Sequence, residues 1–271
     1  MSTPRFHRPR RSLGQNFLVD GNLRRRIVEE AAINPGDTVL EIGPGRGALT
    51  DLLVELAARL VLVELDRDLA ADLRRRYRDR PSVEVVEGDI LELNLRELVG
   101  HPESVRAVGN IPYNITTPIV FHLLTPPRPA DILLMVQKEV ADRILAEPGT
   151  GAFGALTVGV QAVAEVERVL VVPPSAFRPR PRVDSTVIRI SPRRPAPLSP
   201  SEEQVLRTLT RALFQWRRKQ LRKTLKSHPD LRLAPPQVAA LLDAAGAEPK
   251  DRPETVAPAG FVAMARLLAA T

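Results

Sequence analysis

The sequence predicts an α/β protein: a mostly parallel sheet with one antiparallel edge strand, followed by a small helical domain. Three observations predict this. From residue 20 onward, helical and strand-like segments alternate, as in successive βαβ units. A glycine-rich turn, Gly43-Pro44-Gly45-Arg46-Gly47, follows the first of these strands, at the position where open α/β sheets bind nucleotides. Two Val- and Ile-rich segments near residue 180 are joined by a stretch too short for a parallel crossover.

Asn22 to Ala32 reads as an amphipathic helix, ended by the Asn-Pro-Gly-Asp turn at 34–37. Thr38–Ile42 is an apolar strand, and a helix is expected from the glycine turn through about Arg59. Strand Leu60–Leu65, helix Asp68–Tyr77 and strand Val83–Val86 follow. Arg106–Gly109 is a weaker fourth strand and Asp131–Val136 a strongly apolar fifth. Lys138–Leu145 is helical, and the glycine-rich stretch 147–154 is expected to be mobile. Val166–Val172 and Val183–Ile190 read as strands separated only by Pro173–Arg182, which holds four prolines and no helical period. They should therefore be antiparallel, whereas a dinucleotide-binding dehydrogenase sheet normally stays parallel. Pro192–Pro200 also holds four prolines and reads as a stiff linker. Ser199 and Ser201 before Glu202-Glu203 signal a helix start, with helices at about 202–215, 217–227, 235–245 and 258–269. The expected division is a basic arm (1–19), a cofactor-binding domain (20–191), a Pro-rich linker (192–200) and a small helical domain (201–271).

Composition narrows the chemistry. The chain has no cysteine, so disulfides, thiolate nucleophiles and zinc–thiolate sites are excluded. Its four histidines show no metal-ligand spacing, and a metal-free mechanism is expected. No apolar run reaches the roughly 20 residues of a membrane span. The Arg-rich start lacks the apolar core of a secretory signal, so a soluble cytoplasmic protein is expected. Residues 1–11, 178–194 and 207–226 carry net charges of +4, +5 and +8, leaving −10 on the remainder against a total of +7. Three basic segments on an acidic remainder favour a polyanion partner, because phosphate neutralisation releases counterions.

Glycines at 43, 45 and 47 let the backbone approach a ligand closely. Their spacing also fits the looser dinucleotide fingerprint with Ala48 in third place, so NAD competes here. Glu64 ends the second strand about 20 residues on, where a carboxylate accepts both ribose hydroxyls of an adenosine. Asp66 lies just beyond it, and Gly88-Asp89 follows the third strand, where a short acid can accept an adenine amino group.

The segment Asn110-Ile111-Pro112-Tyr113 suits a different task. An adenine N6 amine is a poor nucleophile, because its lone pair is delocalised into the ring. A site that accepts both its N–H protons favours a tetrahedral nitrogen with the lone pair aimed at an electrophile. The Asn110 amide oxygen and the Ile111 carbonyl supply two acceptors, and Pro112 stiffens the turn. Tyr113 offers a stacking face, worth about 1–3 kcal/mol per base. Phe177, one of ten aromatics, is a candidate second stacking face, or else a hydrophobic plug beneath its loop. Trp216 reads more readily as a core anchor than as a stacking residue.

At these residues the chain resembles the KsgA-type small-subunit rRNA adenine dimethyltransferases. The resemblance runs through Leu13-Gly14-Gln15-Asn16-Phe17-Leu18, EIGPGRGALT (41–50), VELDRDLA (63–70), EGDIL (87–91) and GNIPYNITTP (109–118). It continues through QKEVADR (137–143) to VPPSAFRPRPRVDS (172–185). It implies a Rossmann-like class I methyltransferase sheet and S-adenosylmethionine as cofactor. Asn16 and Leu18 would line the methionine end of the pocket, with Gly43 under the cofactor, Glu64 on its ribose and Asp89 on its adenine. Asn110 would touch both cofactor and target amine, with Tyr113 and Phe177 sandwiching a flipped base. The implied substrate is a pair of adjacent adenosines near the 3′ end of 16S rRNA in an immature 30S subunit, each methylated twice by a monomeric enzyme. Three alternatives stand beside it: a methyltransferase aimed at 23S rRNA, a dehydrogenase, and a non-catalytic ribosome-assembly factor.

Overall fold

The structure, a computed structural model, describes residues 14–270. The arginines at 5, 8, 10 and 11 lie outside the described residues, as does Leu13. The chain forms two compact units, one of residues up to 141 with 167–191, the other of 142–166 with those from 192 onward.

The first unit is built on a seven-stranded sheet. Its strands are β2 (Thr38–Ile42), β3 (Arg59–Glu64), β4 (Val83–Glu87), β5 (Val105–Asn110), β6 (Asp131–Gln137), β7 (Ala164–Val172) and β9 (Ser185–Pro192). The spatial order is β4-β3-β2-β5-β6-β9-β7. Strands β4 through β6 pair in parallel, and β9 runs antiparallel to β6. The reversed strand expected from the short Pro173–Arg182 connection is thus β9, one place in from the edge strand β7. The central strands are apolar along their length because helices cover both faces, as parallel sheets require.

Glycine is obligatory at one crossing. A Cβ at Gly109 on β5 would lie 2.8 Å from the Ile42 carbonyl oxygen on β2, a contact that real side chains do not make. This lets the ends of β2 and β5 approach closely just before Asn110.

Helix α1 (Gly21–Glu30) is capped by Asp20, whose carboxylate accepts the Asn22 and Leu23 N–H groups at 2.9 and 3.0 Å. Helix α3 (Arg67–Arg76) is capped the same way by Asp66. The helix expected through Arg59 is much shorter: α2 spans only Thr50–Leu53, and turns complete the connection to β3. Helices α4 (Leu95–Val99) and α5 (Thr116–Leu123) carry no signal strong enough to read from sequence. A separate two-stranded ribbon pairs β1 (Phe17–Leu18) with β8 (Phe177–Arg178), joining segments about 160 residues apart.

The second unit is helical. The boundaries between units fall inside α6 (Lys138–Ile144), inside β7 and before the last residue of β9. Helix α7 (Ala155–Gln161) precedes β7, and α8 (Pro200–Gln215), α9 (Leu221–Ser227), α10 (Pro235–Ala245) and α11 (Pro258–Ala269) follow the sheet. Helix α8 opens on a capping box, Ser199 and Glu202 each accepting the other's backbone N–H. The stretch 147–154, expected to be mobile, is fastened within this unit. Gly149 N–H donates to the Glu254 carbonyl at 2.6 Å, and Arg217 donates to the carbonyls of Gly151 and Thr150. Phe153 is fully buried against Phe214, which stacks on Phe261. Trp216 packs edge-on to the buried ring of His228 with centroids 4.9 Å apart. No helix among the described residues is long and apolar enough to cross a membrane.

Candidate active site

A cavity opens at the carboxyl ends of β2, β3, β4 and β5, within the first unit. Each strand end contributes one expected residue to its wall: Gly43 after β2, Glu64 on β3, Asp89 after β4 and Asn110 on β5. Asn16 and Leu18 come from the segment entering β1, and Ile111, Pro112 and Tyr113 from the turn after β5. Nine of the ten expected site residues therefore converge on one cavity. Phe177 does not line it.

The glycine turn has a left-handed backbone at each glycine: φ is +66° at Gly43, +58° at Gly45 and +79° at Gly47. Gly43 N–H donates to the Val63 carbonyl and Gly47 N–H to the Pro44 carbonyl, each at 2.9 Å, which leaves the Gly45 N–H for a side chain. Gly45 N–H donates to Glu64 Oε2 at 2.9 Å, and Asp66 N–H donates to Glu64 Oε1 at 2.9 Å. Glu64 thus ties the glycine turn to the end of β3 while lining the cavity wall. Burial raises the Glu64 pKa; the backbone N–H groups of Asp66, Gly45 and Leu65 work against that rise, and the Asp66 charge adds to it.

Glu41 also lines the cavity, a residue sequence reading passed over. It is almost fully buried and accepts a hydrogen bond from Thr50 Oγ1 at 2.7 Å. Burial pushes its pKa up to about 8; the Thr50 hydrogen bond opposes this, and the neighbouring charges of Glu64 and Asp51 add to it. Nothing in the spacing of Glu41 and Thr50 marks them as partners, since the irregular turn between them sets the contact.

The Asn110 side chain is oriented by the segment before β1. Its Nδ2 donates to the Asn16 carbonyl at 3.1 Å, which settles which end of the amide is nitrogen. Oδ1 accepts no hydrogen bond among the described residues and is left as an acceptor. That segment is anchored in turn: Asn16 Nδ2 donates to the Gly14 carbonyl at 3.1 Å, and Gln15 Nε2 donates to Asp66 Oδ2 at 3.0 Å. The Arg46 guanidinium sits 4.4 Å from the Phe17 ring centroid, a cation–π contact between the glycine turn and β1. Pro112 has φ −59° and ψ 137°, and its carbonyl accepts from Ile115 N–H and Thr116 Oγ1, closing the turn. Tyr113 is half-buried, with its hydroxyl 2.7 Å from Ser185 Oγ on β9. Burial raises the Tyr113 pKa, against the Ser185 hydrogen bond. Asp89 Oδ1 accepts the Leu91 N–H at 2.9 Å, which orients the other carboxylate oxygen.

Phe177 is fully buried in the core cluster beside Leu18, its register partner across the β1–β8 ribbon. It presents no free face, so stacking on a base would require that ribbon to open. This is the alternative the sequence left open, a hydrophobic plug beneath its loop; short two-residue strands leave no periodic trace that would have decided between the two.

Three carboxyl groups, Glu41, Glu64 and Asp89, line the cavity. Glu41 holds its proton through neutral pH, so Glu64 and Asp89 supply the acidic lining, which disfavours a pyrophosphate and suits a cofactor bearing positive charge. Together with the reversed strand, it defines a methyltransferase-type cofactor site rather than a dinucleotide site. A family model of the ribosomal RNA adenine dimethylases matches residues 6–250. The chain belongs to the ribosomal RNA adenine dimethylase family. Its curated relatives include the ribosomal RNA small subunit methyltransferase A of Geobacter metallireducens, 42% identical over 97% of this chain and 96% of the relative. The protein of the same name from Thermosynechococcus vestitus is 43% identical over 96% and 97% of the two chains. Among solved structures, a dimethyladenosine transferase from Plasmodium falciparum superposes with a TM-score of 0.77 at 26% identity, covering 92% of this chain and 95% of that one. The 23S rRNA methyltransferase ErmE superposes with a TM-score of 0.71 at 31% identity, covering 93% and 99%.

Proposed function

We propose that this protein transfers methyl groups from S-adenosylmethionine to N6 of two adjacent adenosines near the 3′ end of 16S rRNA, giving N6,N6-dimethyladenosine. The observation that carries the reading is the fixed orientation of Asn110, a residue of the cavity wall whose amide nitrogen is held by the Asn16 carbonyl, which leaves its oxygen to accept from a ligand.

The anionic lining fits the cofactor: Glu64 would hold the ribose, Asp89 the adenine, Gly43 would lie beneath it, and Asn16 and Leu18 would border its methionine end. When bound, S-adenosylmethionine supplies an electrophilic methyl group on a sulfonium. The chain's own residues position the acceptor. Asn110 Oδ1 and the Ile111 carbonyl accept the two N–H protons of the target amine, steering its lone pair toward the cofactor. Tyr113, braced by Ser185, stacks on the flipped base. The same acceptors serve the second methylation, since a monomethylated amine still has one proton to donate. The reaction assigned here calls on no metal and no general base to deprotonate the amine first.

The 16S assignment rests on relatives named for the small subunit at 40–43% identity over nearly the full chain. An immature 30S subunit is the proposed particle, the cytoplasm the proposed compartment and a monomer the proposed state. We also assign the methyltransferase role to residues 20–191 and further RNA contact to the helical segment after the linker at 192–200. The test is to incubate immature 30S particles, naked 16S rRNA and 23S rRNA with methyl-labelled cofactor and map the labelled nucleotides. Label at the 16S 3′ end is expected; label in 23S rRNA, or none, overturns the reading.

A further inference from the structure

The connection between β8 and β9 carries Arg178-Pro179-Arg180-Pro181-Arg182. All three arginines are exposed, but they are not equivalent. Arg178 folds back, its Nη1 donating to the carbonyls of Ser175 and Phe177 at 3.2 and 2.8 Å. Arg180 and Arg182 make no ion pair or side-chain hydrogen bond among the described residues. Several other arginines of the same unit are paired with carboxylates: Arg59 with Glu84, Arg106 with Asp37, Arg80 with Glu55, and Arg189 with Glu167.

The position of this loop matters as much as its charge. It leads into Ser185, which is paired with Gln137 at the carboxyl end of β6 and hydrogen-bonded to the Tyr113 hydroxyl. Arg180 and Arg182 therefore belong to the same sheet edge as the Asn110–Tyr113 turn. The prolines at 179 and 181 fix φ and reduce the backbone freedom lost when the loop is ordered by a ligand. Guanidinium groups suit phosphate because their planar fork of donors matches its oxygens.

We propose that Arg180 and Arg182 form a clamp on the backbone phosphates of the RNA strand next to the target adenosine. It holds the strand while the base is turned into the cavity against Tyr113. This rests on the function proposed above and adds the residues that grip the substrate beside the reacting nucleotide.

The test compares the wild-type protein with the Arg180→Gln/Arg182→Gln variant, binding unmethylated 30S particles across a potassium chloride series at fixed magnesium. An Arg26→Gln/Arg96→Gln variant removes the same charge from exposed positions on α1 and α4. The clamp predicts that losing two phosphate contacts flattens the log–log salt dependence by about 1.4 to 1.8, while the control keeps the wild-type slope. Hydroxyl-radical footprinting should lose backbone protection only beside the methylated adenosines, and cofactor affinity should be unchanged. An unaltered slope, or an intact footprint there, overturns the clamp. If the wild-type protein does not methylate these adenosines, the proposed function has failed; if it does and the variant keeps slope and footprint, the clamp alone has failed.

Discussion

Asn110→Ala removes two interactions of different kinds, and the structure separates their costs. The bond from Nδ2 to the Asn16 carbonyl is a partly buried, neutral hydrogen bond. Its loss costs about 1 kcal/mol, close to a fivefold weakening of cofactor binding through the disturbed segment 14–18. The lost Oδ1 acceptor is worth more, because its role is confined to the reacting amine. Removing one positioned hydrogen-bonding group from a transition state costs about 2.7–4 kcal/mol, or 10²- to 10³-fold in rate. The Ile111 carbonyl remains, so activity should be low but measurable. Single-turnover methyl transfer to unmethylated 30S particles at saturating cofactor reads the second cost alone; a cofactor titration reads the first. Asn110→Asp should be no better than alanine, since a carboxylate would face the Asn16 carbonyl without a proton to donate. If saturating cofactor restores the rate of Asn110→Ala, the amide serves the cofactor only and the assigned role of Oδ1 is wrong.

Glu41 gives a pH prediction. A carboxyl with its folded pKa raised to about 8 from 4.5 holds its proton in the folded state after the unfolded chain has released it. Folded molecules therefore bind more protons between these values, and stability falls as pH rises through this window, by up to about 4 kcal/mol. Glu41→Gln should be less sensitive to pH between 5 and 8 in thermal unfolding; an unchanged pH profile would mean the group is not titrating there. Tyr113→Phe loses only the Ser185 hydrogen bond, at about 1 kcal/mol. Tyr113→Ala should lose a further 1–3 kcal/mol or so of stacking in kcat/KM, and equal rates for the two variants would remove stacking from the account. Phe177→Ala should lower stability by about 3–5 kcal/mol in denaturant unfolding, as expected for a fully buried ring. Wild-type stability with lost activity would instead restore Phe177 as a stacking face.

The parts of this molecule legible in sequence are those in which one local rule acts alone. Apolar runs mark β2, β3 and β6 because both sheet faces are covered. The reversed β9 was legible because ten residues rich in proline cannot make a parallel crossover. Residues at strand ends were found for the same reason: a strand followed by Gly43, Glu64, Asp89 or Asn110 has to deliver that residue to the carboxyl edge. What escaped depends on distant partners. Helices α4, α5 and α7, of five to eight residues, were not read from the sequence. The loop at 147–154 looks free by composition but is held by Arg217 and by the Gly149 N–H bond to the Glu254 carbonyl. Burial of Phe177, the Glu41–Thr50 hydrogen bond and the Tyr113–Ser185 contact all join residues through tertiary packing, and no motif spacing encodes them.

The chemistry assigned to Asn110 and Ile111 specifies both the atom methylated and its degree of substitution. It is tested most directly by reacting the protein and S-adenosylmethionine with unmethylated 30S particles, then analysing the 3′ fragment of the 16S rRNA by nuclease digestion and mass spectrometry. The account predicts N6,N6-dimethyladenosine at two adjacent positions. A product that stops at monomethylation, a methyl group on another base atom, or a 3′ fragment left unmodified would contradict it.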